Sequence, residues 1–583
     1  MSLYRAIIVA YVLALVALSV FSLNRYVILA LFRRAQRAPK IRRPMPDVLP
    51  CVTLQLPIYN EFYVAARVID SACRVDYPRE KLQIQVLDDS TDETLALTRL
   101  LVDRWRAEGV WIEHHHRVDR TGYKAGALAL GLEHAQGELV AVFDADFVIP
   151  STFLYDTVQH FDEPDIGIVQ TRWTYLNEDY SALTRATSLG LNGQFAIEQP
   201  AREQGGLFLS FNGTAGVLRA SCIRDAGGWE FDTITEDLDL SYRAQMRGWR
   251  IRYLQDVTCP SEIPPDMQGL KAQQFRWTKG TQETARKLVP RLLRSDLDRW
   301  HKLQCVLHLT ANGVNPFLLL VGILNPLAML AAYRANVRVV WPLSIYFIFS
   351  LCGTFFYYVD AERALNPGAT RKWLRRVSYF PMFLAASIGL SVSNARAAIE
   401  GLLGKATPFE RTPKYLITQR GQRRSAARYR SRATVSTAAE LTMMAYTFSF
   451  AIFAFHVREY AALPFLILFG SGYAIVGGSS VTDMMRGVLA DRFARSGSPS
   501  LVRGALLRRS SIVAAIGLVL IIRCGHVPAL REAVGSTGVA PASAAQSQAR
   551  RAAISPSARA VTGGECRAGH DTIAACRNRR GDR

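Results

Sequence analysis

Leu139-Val140-Ala141-Val142-Phe143-Asp144-Ala145-Asp146 decides the fold. Five apolar residues bounded by carboxylates read as a short buried strand, and the two aspartates fall at its carboxyl end. Ligands of open α/β sheets bind at that end. Three further runs behave alike: 52–56, 84–87 and 166–170, separated by helical stretches. The alternation predicts an α/β domain with a mainly parallel, Rossmann-like sheet over residues 48–300.

Apolar segments flank this domain. Residues 6–23 precede a basic run (Arg33, Arg34, Arg37, Lys40, Arg42, Arg43), and Ser22-Leu23-Asn24-Arg25 is a poor cleavage site, so 1–47 reads as an uncleaved membrane anchor and its basic juxtamembrane segment. Stretches at about 305–331, 339–359, 437–456 and 461–480 reach the ~20 residues needed to cross a bilayer. The 379–395 stretch has basic clusters on both sides, Arg371, Lys372, Arg375 and Arg376 before it and Lys405, Arg411, Lys414 and Arg420 after it, and is expected to lie in the interface. Residues 301–523 thus form a membrane region, and 524–583, rich in Ala, Ser, Gly and Arg, a disordered basic tail. Of the 583 residues 49% are hydrophobic, and the net charge of +21 is concentrated at the flanks of apolar runs. That distribution points to anionic membrane lipid as partner and away from nucleic acid. By the same rule the 24–302 segment faces the cytosol and the amino terminus the outside. The nine cysteines have no CxxC pairing and read as reduced structural thiols, not a metal cluster.

A D-x-D triplet is weak alone; Asp237/Asp239 and Asp296/Asp298 share the spacing, and Asp88-Asp89 closes another strand. Order strengthens it. Pro57-Ile58-Tyr59-Asn60-Glu61 ends the first strand; Gly122-Tyr123-Lys124-Ala125-Gly126, Thr235-Glu236-Asp237 and Gln273-Gln274-Phe275-Arg276-Trp277 follow in sequence. His114-His115-His116 could be read as a metal site, but neighbours on a strand point to opposite faces, and the run reads as incidental.

With these pieces the chain resembles the family 2 membrane glycosyltransferases of the cellulose synthase superfamily. Gln85-Val86-Leu87-Asp88-Asp89-Ser90-Thr91-Asp92 and Phe211-Asn212-Gly213-Thr214-Ala215-Gly216 are closest in wording to the (gluco)mannan and xyloglucan-backbone synthases. The resemblance implies a GT-A-type catalytic domain inserted between transmembrane helices. It implies that Tyr59, Glu61, Asp88, Lys124 and Asp144 hold the nucleotide, that Asp144 and Asp146 bind Mg²⁺ or Mn²⁺, and that Asp237 is the base. Gln273, Arg276 and Trp277 would line the acceptor and diphosphate end. Taken alone, Arg276 and Trp277 would more often be structural. Phe409-Glu410-Arg411-Thr412-Pro413-Lys414 matches the family's gating loop at Phe409, Thr412 and Lys414, with Arg where the pattern has Val. The implied reaction is inverting, processive transfer of hexose from a nucleotide sugar, UDP-glucose or GDP-mannose, to a growing β-glycan, coupled to export. A single addition to a glycolipid acceptor, as in ceramide glucosyltransferases, is the alternative.

Overall fold

The structure, a computed structural model, describes residues 2–37, 43–335, 340–406, 412–418 and 435–496. Its centre is a seven-stranded sheet: β1 (Val52–Ile58), β2 (Leu82–Asp88), β3 (Ile112–His116), β4 (Leu139–Val142), β5 (Ile166–Tyr175), β6 (Gly216–Arg219) and β7 (Arg250–Ser261). Their spatial order is β3-β2-β1-β4-β6-β5-β7. The β1, β2, β3 and β4 pairings are parallel, and β6 runs antiparallel to both its neighbours. All seven residues of β2 and all four of β4 are buried, as expected of strands covered on both faces.

The chain runs outward from β1 through β2 to β3, then returns to place β4 on the other side of β1. That reversal opens a crevice at the carboxyl ends of β1 and β4, where the strands' connections diverge to opposite faces. Tyr59 and Asp144, the residues just past these strands, fall at its edges.

Among the described residues five helical segments are long and apolar enough to cross a membrane: Leu3–Ala35, Ala311–Arg334, Thr370–Leu403, Val435–His456 and Tyr460–Met485. The segment expected from residue 305 instead begins with a separate helix, Arg299–Leu309, whose Cys305 and Leu309 pack against Tyr242 and Leu288. The 379–395 stretch lies in helix Phe380–Leu403, longer than expected, within a segment that has the length and hydropathy of a span. Its most apolar window is 61% buried by neighbouring helices. Residues 497–523 of the expected membrane region and the tail lie outside the described residues.

Two glycines set a close crossing in this bundle. A Cβ on Gly389 would sit 2.2 Å from the Gly472 carbonyl oxygen, and one on Gly472 2.4 Å from that of Ala385. Small residues at such crossings let backbones touch, and packing replaces the hydrophobic drive that lipid cannot supply. Gly389→Ala forces the helices apart and is expected to cost about 1–3 kcal/mol. The check is a lowered melting temperature in detergent; an unchanged one would show that the crossing relaxes freely.

Candidate active site

The carboxyl ends of β1 and β4 open into one cleft. Its walls include Tyr59, Glu61, Lys124, Asp144, Asp146, Asp237, Gln273, Arg276, Trp277, Thr412 and Lys414. One expected site residue stands apart, and another is not described. Asp88 does not line the cleft, and Phe409 lies outside the described residues.

At the β1 edge the chain turns sharply, with Asn60 at φ 52°. The Asn60 N–H donates to Ser90 Oγ (2.9 Å) and its Oδ1 accepts from Thr91 N–H (2.8 Å), which ties the turns after β1 and β2 together. Tyr59 is covered by the Arg120 guanidinium, 3.4 Å from its ring centre, and Arg120 also lies over Tyr123. A flat cationic stack of this kind makes a platform for a ring.

Asp88 is fully buried behind this platform. Thr98 Oγ1 donates to its Oδ2 (2.5 Å), the Ser90 N–H donates to its Oδ1 (2.8 Å), and His114 Nε2 lies 3.0 Å from Oδ2. Burial alone would raise its pKa, but these hydrogen bonds outweigh it and bring it to about 2. The neighbouring Asp89 lines the cleft instead and is held by Arg117 through two bonds, at 2.8 and 2.6 Å. His114 and His116 share one face of β3 and both bind Asp88, by its carboxylate and its backbone oxygen.

At the β4 end, Lys124 Nζ donates to Asp144 Oδ1 (2.6 Å) and to the Gly213 carbonyl (2.8 Å), and lies 3.8 Å from Glu236. Burial opposes its charge, yet Asp144 and Glu236 prevail and its pKa lies above the usual lysine value. Asp237 occupies the first turn of helix Glu236–Met246, where it accepts from the Leu238 N–H (2.8 Å). Its pKa is pushed up to about 7, first by burial and then by the adjacent Glu236. Gly213, at φ +78°, packs against it; a Cβ there would lie 2.8 Å from Asp237 Oδ2.

Helix Met267–Arg294 closes the far side. Asp266 caps it by accepting from the Gly269 N–H (2.7 Å), and Gln273, Arg276 and Trp277 share one face by their i, i+3, i+4 spacing. The same helix holds the Thr235-Glu236-Asp237 turn: Glu283 Oε2 accepts from the Ile234 N–H (2.9 Å), and a Cβ on Gly280 would meet Thr235 at 2.5 Å. The segment 412–418 also reaches the cleft, and Lys414 Nζ pairs with Asp146.

Several lining groups carried no sequence signal. Glu262 is buried and paired with Arg67 at 2.7 Å; burial raises its pKa and Arg67 opposes the rise. Trp173 and Tyr175 line the cleft from the end of β5, four residues or so beyond the expected strand. Outside the cleft, the carboxylates of Glu230, Asp232 and Asp239 lie close together, but Lys287 Nζ sits among them at 2.5, 2.6 and 3.0 Å and supplies their counter-charge.

The donor set at Asp144 and Asp146 fits a hard divalent cation: both are carboxylates, and each now has an ammonium as its positive partner.

Comparison with known proteins bears on this arrangement. Residues 50–280 match the family described as "Glycosyltransferase like family 2". The chain is 41% identical over 259 residues to "Glucomannan 4-beta-mannosyltransferase 7" of Arabidopsis thaliana, covering 43% of this chain and 47% of that protein. It is 38% identical over 277 residues to "Glucomannan 4-beta-mannosyltransferase 1" of Oryza sativa subsp. japonica, 45% of this chain and 53% of that one. The chain therefore spans about half the length of the curated relatives it matches. A solved "Mannosyltransferase PcManGT from Pyrobaculum calidifontis in complex with GDP-Man and Mn2+" aligns with 69% of this chain and all of its own, at 22% identity and a TM-score of 0.45.

Asp88 has a folded pKa below its ordinary value of 3.8, so its contribution to stability is present above that value and fades as pH falls toward 2. At about 1.4 kcal/mol per unit, the contribution at pH 7 is about 2 kcal/mol. Asp88→Asn should lower the melting temperature at pH 7 accordingly, and an unchanged melt would remove the structural role assigned here.

Proposed function

We propose that this protein is a membrane-bound, inverting hexosyltransferase that moves a sugar from a nucleoside diphosphate to the end of a β-glycan. The observation that carries the reading is the cleft itself. It combines Asp237, raised to about 7 and fixed by Gly213, with the Asp144/Asp146 pair, Lys124, and the Gln273, Arg276, Trp277 face.

The roles follow from position. The Arg120–Tyr59 stack takes the nucleobase, with Glu61 beside it. Asp144 and Asp146 would hold Mg²⁺ or Mn²⁺, which would neutralise charge developing on the leaving diphosphate. Lys124 and Arg276 carry fixed positive charge at that end, and Lys414 brings one more from the 412–418 segment. Asp237 takes the proton of the acceptor hydroxyl as that oxygen attacks the anomeric carbon; the bond to the diphosphate breaks on the opposite side and the α-linked donor gives a β-linked product. Trp277 offers a flat apolar face for the terminal sugar.

The division into an anchor (1–47), a catalytic domain (48–300) and a membrane region (301–523) belongs to the same reading, with the catalytic domain on the cytosolic side where nucleotide sugars are found. The basic runs that flank the apolar segments support this orientation. The mannosyltransferase names of the relatives favour GDP-mannose over UDP-glucose as donor and a polymer over a glycolipid as product. Residues 305–335 and beyond would then coat the path by which the polymer is exported.

Two experiments test the chemistry. Asp237→Asn should lower the transfer rate by ~10²-fold or more while nucleotide affinity stays, since a general base contributes 10²–10⁴-fold. In the wild-type protein the rate should climb about tenfold per pH unit below pH 7 and level off above it, because the base must lose a proton that burial and Glu236 hold on. A flat profile from pH 5.5 to 8 would show that another group is the base. Chelation should abolish transfer and Mg²⁺ or Mn²⁺ restore it, whereas Asp146→Ala should respond to neither; full activity in excess chelator contradicts the metal role.

A further inference from the structure

A seven-residue loop, 209–215, passes beside Asp237 and is fixed on both sides. The Leu209 N–H donates to Gln245 Oε1 (3.0 Å), its carbonyl accepts from Gln245 Nε2 (2.8 Å), and the Phe211 N–H donates to Ser241 Oγ (2.8 Å). Ser241 and Gln245 lie one and two turns beyond Asp237 on the same helix, and Ser241 Oγ donates to the Asp237 carbonyl (2.6 Å). The Asn212 N–H donates to Gln170 Oε1 (2.8 Å), while Gln170 Nε2 is spent on the Thr171, Thr214 and Ala215 carbonyls. Hydrogen bonds therefore tie the loop to the helix that carries the base.

The Asn212 side chain is oriented by a break in a neighbouring helix. Residues Gln194–Glu198 form a π-helical turn, a form that often marks functional sites. It sets Gln194 and Gln199 against the loop. Gln199 Nε2 is anchored on the Ser210 carbonyl (2.9 Å), so its nitrogen, not its oxygen, faces Asn212. Three donors converge on Asn212 Oδ1: Gln199 Nε2 (3.3 Å), Gln194 Nε2 (3.5 Å) and Ser210 Oγ (3.2 Å). The amide must then present its NH₂ to the other side. Asn212 lines the cleft with Asp237, and its Nδ2 is buried with no acceptor among the described residues. A donor left in that state is costly, and a ligand oxygen that accepts from it recovers the loss.

We propose that the Asn212 amide is an acceptor-sugar contact: its Nδ2 donates to a hydroxyl oxygen of the terminal sugar and holds that sugar against Asp237, with Gln199 as the positioning residue. This rests on the transfer reading above. The placement excludes the other members of the residue type: aspartate here could not donate, and its charge would face Asp237.

The test uses the full-length protein in detergent, GDP-mannose or UDP-glucose as the wild type requires, and β-1,4-mannotetraose with cellotetraose in parallel as acceptors. Asn212→Ala should raise the acceptor KM by about 3–10-fold, the value of one neutral hydrogen bond. The Kd for the nucleoside diphosphate should stay within about twofold. Asn212→Asp should be worse than Asn212→Ala. Gln199→Leu should show the same acceptor defect, and the double variant should lose no more than Asn212→Ala alone, because both remove one contact. An unchanged acceptor KM in a normally folded Asn212→Ala protein overturns the proposal, and so does a nucleotide Kd that rises in step with KM, which would give the amide to the donor. Failure of the wild type to transfer to any saccharide would overturn the transfer reading first, and is seen before any variant is made.

Discussion

The Lys124 ammonium, seated between Asp144 Oδ1 and the Gly213 carbonyl and near Glu236, is the contact on which the site is built. The cleft gathers Asp144, Asp146, Glu236, Asp237 and Glu262 within one set of walls. Carboxylates brought together out of water either acquire positive partners or give up their charge. Both outcomes are present. Lys124, Lys414 and Arg67 pair with Asp144, Asp146 and Glu262, while Asp237, which makes no ion pair among the described residues, has its pKa pushed up to about 7. Because those cations come from separate parts of the chain, satisfying the charges also fixes how β4, the loop before β6, helix Glu236–Met246 and the 412–418 segment meet.

Helix Met267–Arg294 carries this arrangement to the membrane side. One face presents Gln273, Arg276 and Trp277 to the cleft. Elsewhere along it a Cβ on Gly401 would meet the Lys279 carbonyl at 2.5 Å, Lys279 Nζ donates to the Lys405 carbonyl (2.5 Å), and Lys271 pairs with buried Glu440 at 2.7 Å. Lone buried charges are strongly destabilising, so the Lys271–Glu440 pair holds helix Val435–His456 in register with the helix that lines the cleft. One helix thus packs against both the cleft and the long apolar helices.

Much of this was legible in the sequence because strand ends announce themselves. An apolar run closed by carboxylates located the ends of β2 and β4, and four ordered motifs located the cleft walls. Adjacent residues defeated the same logic. At Asp88-Asp89 the two side chains point to opposite faces, and composition does not say which faces the ligand; the structure turns Asp88 inward to Thr98 and His114 and leaves Asp89 on the cleft. His114, read as incidental, proves to be the partner of that inward carboxylate, a pairing between strands that only register reveals. Arg67 and Glu262 lie far apart in sequence with no motif around either, and Asn212 was visible only as wording within a resemblance. The orientation of its amide depends on a π-helical turn, which leaves no trace in residue periodicity.

The account's central claim is direct displacement at the anomeric carbon with Asp237 as base, and the configuration of the new linkage tests it most directly. Purified protein is supplied with an α-linked nucleotide hexose and a short saccharide acceptor, and the anomeric centre of the first added sugar is assigned by NMR. The account predicts a β linkage in the initial product. An α linkage would mean retention, which a single base at Asp237 cannot produce, and would contradict the mechanism whatever the sugar proved to be.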